Sequence, residues 1–451
     1  MAGNIEDVVI VTVTKTSVQV SRAGFGTTLW LGQIDVAIQA DRFQLYGSLQ
    51  EMLDAGFTSA HNAYKWARVH LSAAPAKPQK FALGRRIPGI AENDEVEITA
   101  PDTGNWLATV NGTVFTYVAG ALDTNETISA GLAAAITAGN EPVTAIQQAA
   151  PNEEFFDVQG IVGGQTQTVV ITPGGAGTET TTNTPETAAE LWATAYAAIH
   201  TASTQEDYYI LNIEDRDKAT VLEAAGVLGT SEKLGVFQSR DADFLAGTAG
   251  NVAITIKALS NRRACVFYTA NDTNEVASGM SGFAAAIQLD SAASVATWNL
   301  VTLPEVLPDV LTTANKTAIK DSGGSYYLVI GGVSVTQTQS CEGEFMRVQS
   351  TLDWTKSRVA EKIFGTLAAT TTKVDLDSTG IGTMEGDLKG VLNTGVKNGH
   401  FTSDFKPTAE GPAPEDIEEA DKNAGILRDL IGVAKLAQAI RQVYVQVDVT
   451  V

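Results

Sequence analysis

Residues 207–270 read DYYILNIEDRDKATVLEAAGVLGTSEKLGVFQSRDADFLAGTAGNVAITIKALSNRRACVFYTA. DYYILNIE, KLGVFQS and RACVFYTA are short apolar runs rich in β-branched and aromatic residues, the composition of strands. Between them, residues 217–228 have helical spacing, and residues 249–259 are read as a helix despite their β-branched members. Residues 274–287 supply another helix. Strands alternating with helices predict a parallel sheet covered by helices. Upstream, residues 186–200 read as a helix of the same series.

The α/β character is already present between Arg42 and Pro88. SLQEMLDAG predicts a short helix, with Ser48 as N-cap, Glu51 completing a capping box and Gly56 as the stop. A second helix is expected over roughly 59–72, and FALGRR reads as a strand ending on Arg85 and Arg86. From residue 91 the pattern changes. NWLATVNGTVFTYV carries Asn111-Gly112, the pair a type I′ turn prefers because both central residues need positive φ. A two-residue loop then sets Val110 opposite Thr113, Ala108 opposite Phe115 and Trp106 opposite Tyr117. A helix over 123–138 and β runs VTAIQQA, EFFDVQG and TVVIT follow. PGGAGTETTTNTP, residues 173–185, is low in complexity and reads as a linker.

The fold class expected is α/β (mixed α+β). A helix-covered sheet core, residues 21–90 plus 181–440, is interrupted by a mostly β inserted domain at 91–180. In the second half, a helix is predicted over 345–367. The acidic loop at 410–422 leads into a helix striped by Ile426, Leu427, Leu430, Ile431, Val433, Ala434, Ala437 and Ile440. β arms occupy 1–20 and 441–451. VYVQVDVTV places Val443, Val445, Val447, Val449 and Val451 on one face in strict period two. In VVIVTVTKTSVQV, Val9, Val11 and Val13 share a face, and the phase shifts near Lys15. Such terminal strands need a neighbouring strand, in this chain or in another copy.

Lys and Arg total 30 against 52 Asp and Glu, a formal net charge of −22. That charge repels phosphate and anionic lipid, which argues against nucleic acid and membrane as main partners. Cys265 and Cys341 stand far apart with no CxxC, the pattern of buried thiols in a reducing compartment. The start of the chain is acidic where a secretion signal is basic, and no run reaches the ~20 apolar residues of a membrane helix.

Catalytic signatures are few. No P-loop, nucleophile elbow or HExxH is present. His61, His70, His200 and His400 are scattered and read as surface or packing residues. Glu214-Asp215-Arg216-Asp217 ends a strand, where α/β sheets place ligands; helix capping by Asp215 or Asp217 is the simpler account. Gly174, Gly175 and Gly177 read as flexible linker rather than phosphate cradle. Arg428 and Lys435, seven apart on the predicted last helix, form a basic stripe suited to an acidic partner.

The order of elements resembles the contractile tail sheath proteins of bacteriophages. The resemblance lies in YGSLQEMLDAGFTSAHNAYKWARVHLSAAPAKPQKFALGRR, in TVNGTVFTYVAGALDTNETISAGLAAAI, in SYYLVIGGVSVTQTQSCEGEFMRVQSTLDWTKSRVAEKIF and in ILRDLIGVAKLAQAIRQVYVQVDVTV. It covers nearly the whole chain. It implies a structural subunit, with no enzymatic activity and no cofactor. Copies would stack as hexameric rings around a tail tube, contract, and drive the tube through the host envelope. It implies partners in other copies of the chain, the tail tube protein, and baseplate and tail terminator proteins. The location implied is the virion, after synthesis in the host cytoplasm, with the inserted domain facing outward. The Val9, Val11, Val13 and Val443–Val451 strands would join subunits, and Arg428 and Lys435 would contact the tube. An α/β enzyme using 214–217, or another phage structural protein, is the alternative.

Overall fold

The computed structural model describes residues 25–89, 91–139, 141–160, 167–186, 188–203, 208–229, 231–271, 273–287, 289–290, 297–369 and 373–437. The valines expected to join subunits, Val9, Val11, Val13, Val443, Val445, Val447, Val449 and Val451, lie outside these residues. The chain divides into two compact units. Residues 33–36 and 86–195 form the second, and the remainder forms the first.

The first unit begins with β1 (Thr28–Gln33), β2 (Phe43–Tyr46), α1 (Leu49–Asp54), α2 (Asn62–Leu71) and β3 (Phe81–Arg86). Ser48 caps α1 by accepting from the Glu51 N–H at 3.2 Å. The Glu51 carboxylate reaches one residue further back than a capping box requires, to the Gly47 N–H at 2.7 Å.

The second unit holds β4 (Asn93–Ala100), β5 (Gly104–Val110), β6 (Thr113–Ala119), α3 (Asn125–Thr137), β7 (Val143–Gln147), β8 (Phe155–Gly160), β9 (Val169–Thr172) and β10 (Thr178–Thr184). They form two sheets, ordered β10-β4-β8-β7 and β6-β5-β9. The β5–β6 hairpin has the expected register, Trp106 opposite Tyr117, Ala108 opposite Phe115 and Val110 opposite Thr113. Asn111 and Gly112 take φ of 49° and 88°, the I′ geometry. Val96, Trp106, Ile128, Leu132 and Phe156 fill the unit's core.

One expectation fails here. The stretch 173–185 is not a linker: β10 lies within it and pairs antiparallel with β4 along its length. Its Thr-rich, mostly exposed side chains are those of a solvated edge strand, which composition does not separate from a loop. Gly174 and Gly177 pack against the Trp106 ring, where a Cβ would lie 3.0 and 2.4 Å from its atoms.

The first unit resumes within α4 (Trp192–Ala202), from Tyr196 on, and continues with β11 (Ile210–Ile213), α5 (Lys218–Leu228), β12 (Leu234–Ser239), α6 (Ala242–Ala246), α7 (Val252–Ala258), β13 (Ala264–Tyr268) and α8 (Val276–Ala286). It ends with α9 (Thr313–Asp321), β14 (Tyr326–Ile330), β15 (Val333–Gln337), α10 (Met346–Ala369), α11 (Ser378–Asn398), β16 (Thr408–Glu410), α12 (Glu419–Ala424) and β17 (Ile431–Val433).

Its main sheet runs β13-β12-β11-β1-β3-β2. β1, β11, β12 and β13 are parallel, and β2 and β3 antiparallel, so the fold is mixed α+β around the parallel core expected. β12 and β13 are buried at every position, as strands covered on both faces must be. Asp217, Asn251 and Thr312 cap α5, α7 and α9. Val236, Cys265, Phe267, Met280 and Tyr327 lie in one cluster beside the sheet. Both cysteines are free and buried, as their spacing suggests. α10 and α11 enclose a smaller cluster around Trp354, Leu388, Val391 and Phe401.

The end of the described chain departs most from expectation. The predicted helix through 426–440 is absent up to residue 437. α12 stops at Ala424, with Gly425 in the left-handed conformation at φ 67°. β17 then pairs antiparallel with β16, Ile431 opposite Glu410 and Val433 opposite Thr408. The Thr402 N–H donates to the Lys435 carbonyl at 2.8 Å, and Ala437 N–H to the His400 carbonyl at 3.0 Å. Gly425 and Gly432 weaken a helix, β-branched Ile431 and Val433 favour extended backbone, and a partner strand is supplied from 408–410.

Candidate functional site

Charged side chains of the first unit gather at both ends of the parallel strands. At the C-terminal ends, Glu214 accepts from the Asn62 amide at 2.8 Å. Arg216 bridges the Glu275 carboxylate and the Asn271 carbonyl, each at 2.8 Å. The other Glu275 oxygen accepts from Gln238 at 3.0 Å. Burial pushes the Glu275 pKa up, against the opposing pull of Arg216 and Gln238. Asp217 caps α5, accepting from the Thr220 N–H at 3.0 Å and its hydroxyl at 2.5 Å. The 214–217 cluster therefore acts in capping and ion pairing, which is the simpler of its two accounts.

The opposite ends of the strands border a cleft of about 380 Å³. Arg263 forms a two-pronged pair with Asp353 at 2.8 and 2.9 Å, and the Tyr209 hydroxyl donates to the same carboxylate at 2.6 Å. Lys356 meets Glu232 at 2.6 Å, and Arg262 meets Glu342 at 2.9 Å and Glu344 at 3.0 Å. The Arg263–Asp353 and Lys356–Glu232 pairs tie α10 to the loops that enter β13 and β12, and Arg262 ties the first of these loops to the turn before α10. No sequence motif announces them, because their members come from three distant stretches.

The histidines serve packing. The His61 ring nitrogen accepts from the Thr58 N–H at 2.8 Å. His70 is fully buried, its ring stacked on Trp66 at 4.6 Å with Ser281 Oγ 3.4 Å from Nδ1. Burial pushes its pKa down to about 3. The unfolded chain takes up this proton near the ordinary value of ~6.5, so the folded state must exclude it. His70's contribution to stability is therefore complete above ~6.5 and lost as pH falls toward ~3, by up to ~1.4 kcal/mol per pH unit. Urea unfolding of His70→Gln from pH ~7 to ~4.5 is expected to show a shallower acid loss than the parent. Equal slopes would contradict this.

Arg428 and Lys435 do not share a helix face. Arg428 follows α12 and pairs back with Asp421 at 2.6 Å, while exposed Lys435 lies on the extended segment after β17. Among the described residues no group of three or more His, Cys, Asp and Glu is placed to hold a metal ion.

No protein-family model matches the chain, and no curated protein does. Solved structures do. The contracted sheath complex of an extracellular contractile injection system, PVC, aligns with 98% of this chain and 96% of its own, at TM-score 0.51 and 11% identity. The fold is that of a contractile sheath protein. A chain of the anti-feeding prophage baseplate structure aligns with 98% of this chain and 98% of its own, at TM-score 0.49 and 11% identity. The sheath tail protein of Listeria innocua aligns over 93% of this chain and 96% of its own, at TM-score 0.46 and 11% identity.

Proposed function

We propose that this chain is the structural subunit of a contractile tail sheath. Copies assemble as stacked hexameric rings around a tail tube. Contraction then drives the tube through the host envelope, with no catalytic step in this chain. The likeness to a contracted sheath over 98% of the chain carries the reading. The extended run through Ile431–Val433 to residue 437 supports it, because it leads toward the alternating 443–451 stretch.

In this account, the strands bearing Val9, Val11 and Val13 and Val443 to Val451 join neighbouring copies by main-chain pairing. Residues 91–180 face outward as an inserted domain, and residues 21–90 with 181–440 form the core. Arg428 and Lys435 are proposed as tube contacts, now as two exposed cations flanking β17 rather than as a helical stripe. The tube, baseplate and tail terminator proteins are the further partners, and the virion tail is the location.

A variant ending at residue 442 is expected to stay soluble and folded and to form no tubes by electron microscopy. Tubes of normal length from that variant would remove the terminal strand from the account.

A further inference from the structure

We infer that Arg347 is a positioning residue for assembly: its guanidinium clamps the chain at Ala437 and sets the path on which the C-terminal stretch leaves the subunit. The inference deepens the sheath reading and rests on it in one respect, that residues 443–451 join another copy.

Arg347 is the second residue of α10, and its guanidinium donates to the Ala437 carbonyl. This is a costly place for a cation. The N-terminal end of a helix carries positive partial charge, so a cation there opposes the dipole. The first turn of α10 holds no acidic residue to offset it. The side chain is half-buried, and burial pulls its pKa down. Among the described residues no carboxylate pairs with it, whereas Arg263 holds Asp353 and Arg358 holds Asp290. All of these weigh against the stability of α10. The one hydrogen bond the guanidinium makes among the described residues goes to the departing chain.

The clamp closes on a fixed frame. The Ala437 N–H donates to the His400 carbonyl at 3.0 Å, so Ala437 is held at its N–H and at its C=O. Leu436 bridges antiparallel to Phe401, and the Thr402 N–H donates to the Lys435 carbonyl at 2.8 Å. His400 is 1% exposed, its ring stacked on Trp354 at 4.3 Å with Nε2 2.7 Å from the Leu289 carbonyl. The Phe401 ring lies over Gly395, where a Cβ would come within 2.5 Å of it. A residue held on both its main-chain groups by packed neighbours has one orientation, and the chain leaves it in one direction. VYVQVDVTV starts at Val443, six residues on. Six residues reach at most about 20 Å, so a fixed start restricts where that stretch is presented. Such preorganisation reduces the freedom lost on joining a neighbour.

The test compares the full-length parent with Arg347→Ala and Arg347→Lys. Thermal unfolding, amide exchange of unassembled subunits and electron microscopy are the readouts. Arg347→Ala is expected to match or exceed the parent Tm, to exchange at least tenfold faster at Ala437 and Thr402, and to form few or no tubes. Arg347→Lys keeps a donor and should restore tubes in part. A fall in Tm, unchanged exchange at Ala437, or normal tubes from Arg347→Ala would each overturn the inference. A parent that forms no tubes removes the sheath reading instead, and the exchange rates then still decide whether Arg347 holds the chain.

Discussion

Asp353→Ala is expected to destabilise the first unit by about 3–5 kcal/mol, the cost of removing one partner of a buried ion pair. The Asp353 side chain is 7% exposed and that of Arg263 16%. One carboxylate receives the Arg263 guanidinium, the Tyr209 hydroxyl and the Gln349 amide at 3.0 Å. Its loss leaves a cation and a phenol without their acceptor at the place where α10 meets the edge of the sheet. Removing both charges is milder, because no uncompensated ion remains. Arg263→Ala combined with Asp353→Ala should therefore cost clearly less than the sum of the single changes. Urea unfolding of the four proteins reads this cycle. Single-variant losses below ~1 kcal/mol, the range of surface pairs, would show that the pair is not structural.

The second large effect belongs to the other unit. Trp106→Ala removes a side chain with no exposed surface, and about 3–5 kcal/mol is expected from lost burial plus the cavity left behind. Its indole N–H donates to the Asp102 carbonyl at 3.0 Å, and Gly174 and Gly177 are shaped to its ring. The 173–177 turn leads into β10, so the damage should spread to that edge strand. Hydrogen exchange should show faster exchange across residues 86–195, with β11, β12 and β13 protected as in the parent. Unchanged exchange over 86–195 would contradict this packing role.

What sequence patterns disclosed depended on how local the deciding contacts are. The β5–β6 hairpin was readable to the residue pair, since Asn111-Gly112 sets its own turn and register. α5 was readable from its cap, because Asp217 answers an N–H three residues on. β1 went unseen although it lies inside the main sheet: TLWLGQ is short, and its partner, β11, is far along the chain. α11 is glycine-rich at Gly380, Gly382, Gly386, Gly390 and Gly395, which hides a helix from propensity. The failed helix at 426–437 has the same cause in reverse. A good apolar stripe lost to a partner strand at 408–410 that no local pattern reveals.

Candidate sites followed the same rule. Glu214 to Asp217 were found because they are adjacent in sequence, and capping by Asp215 or Asp217 was the simpler of the two accounts, with Asp217 the residue that caps. The Tyr209–Arg263–Asp353 network was not, because folding alone brings those residues together.

The central claim is assembly into a sheath. Electron microscopy of the purified full-length protein tests it most directly. Hollow tubes built of stacked sixfold rings are the predicted result, and monodisperse globular particles at all concentrations would contradict it.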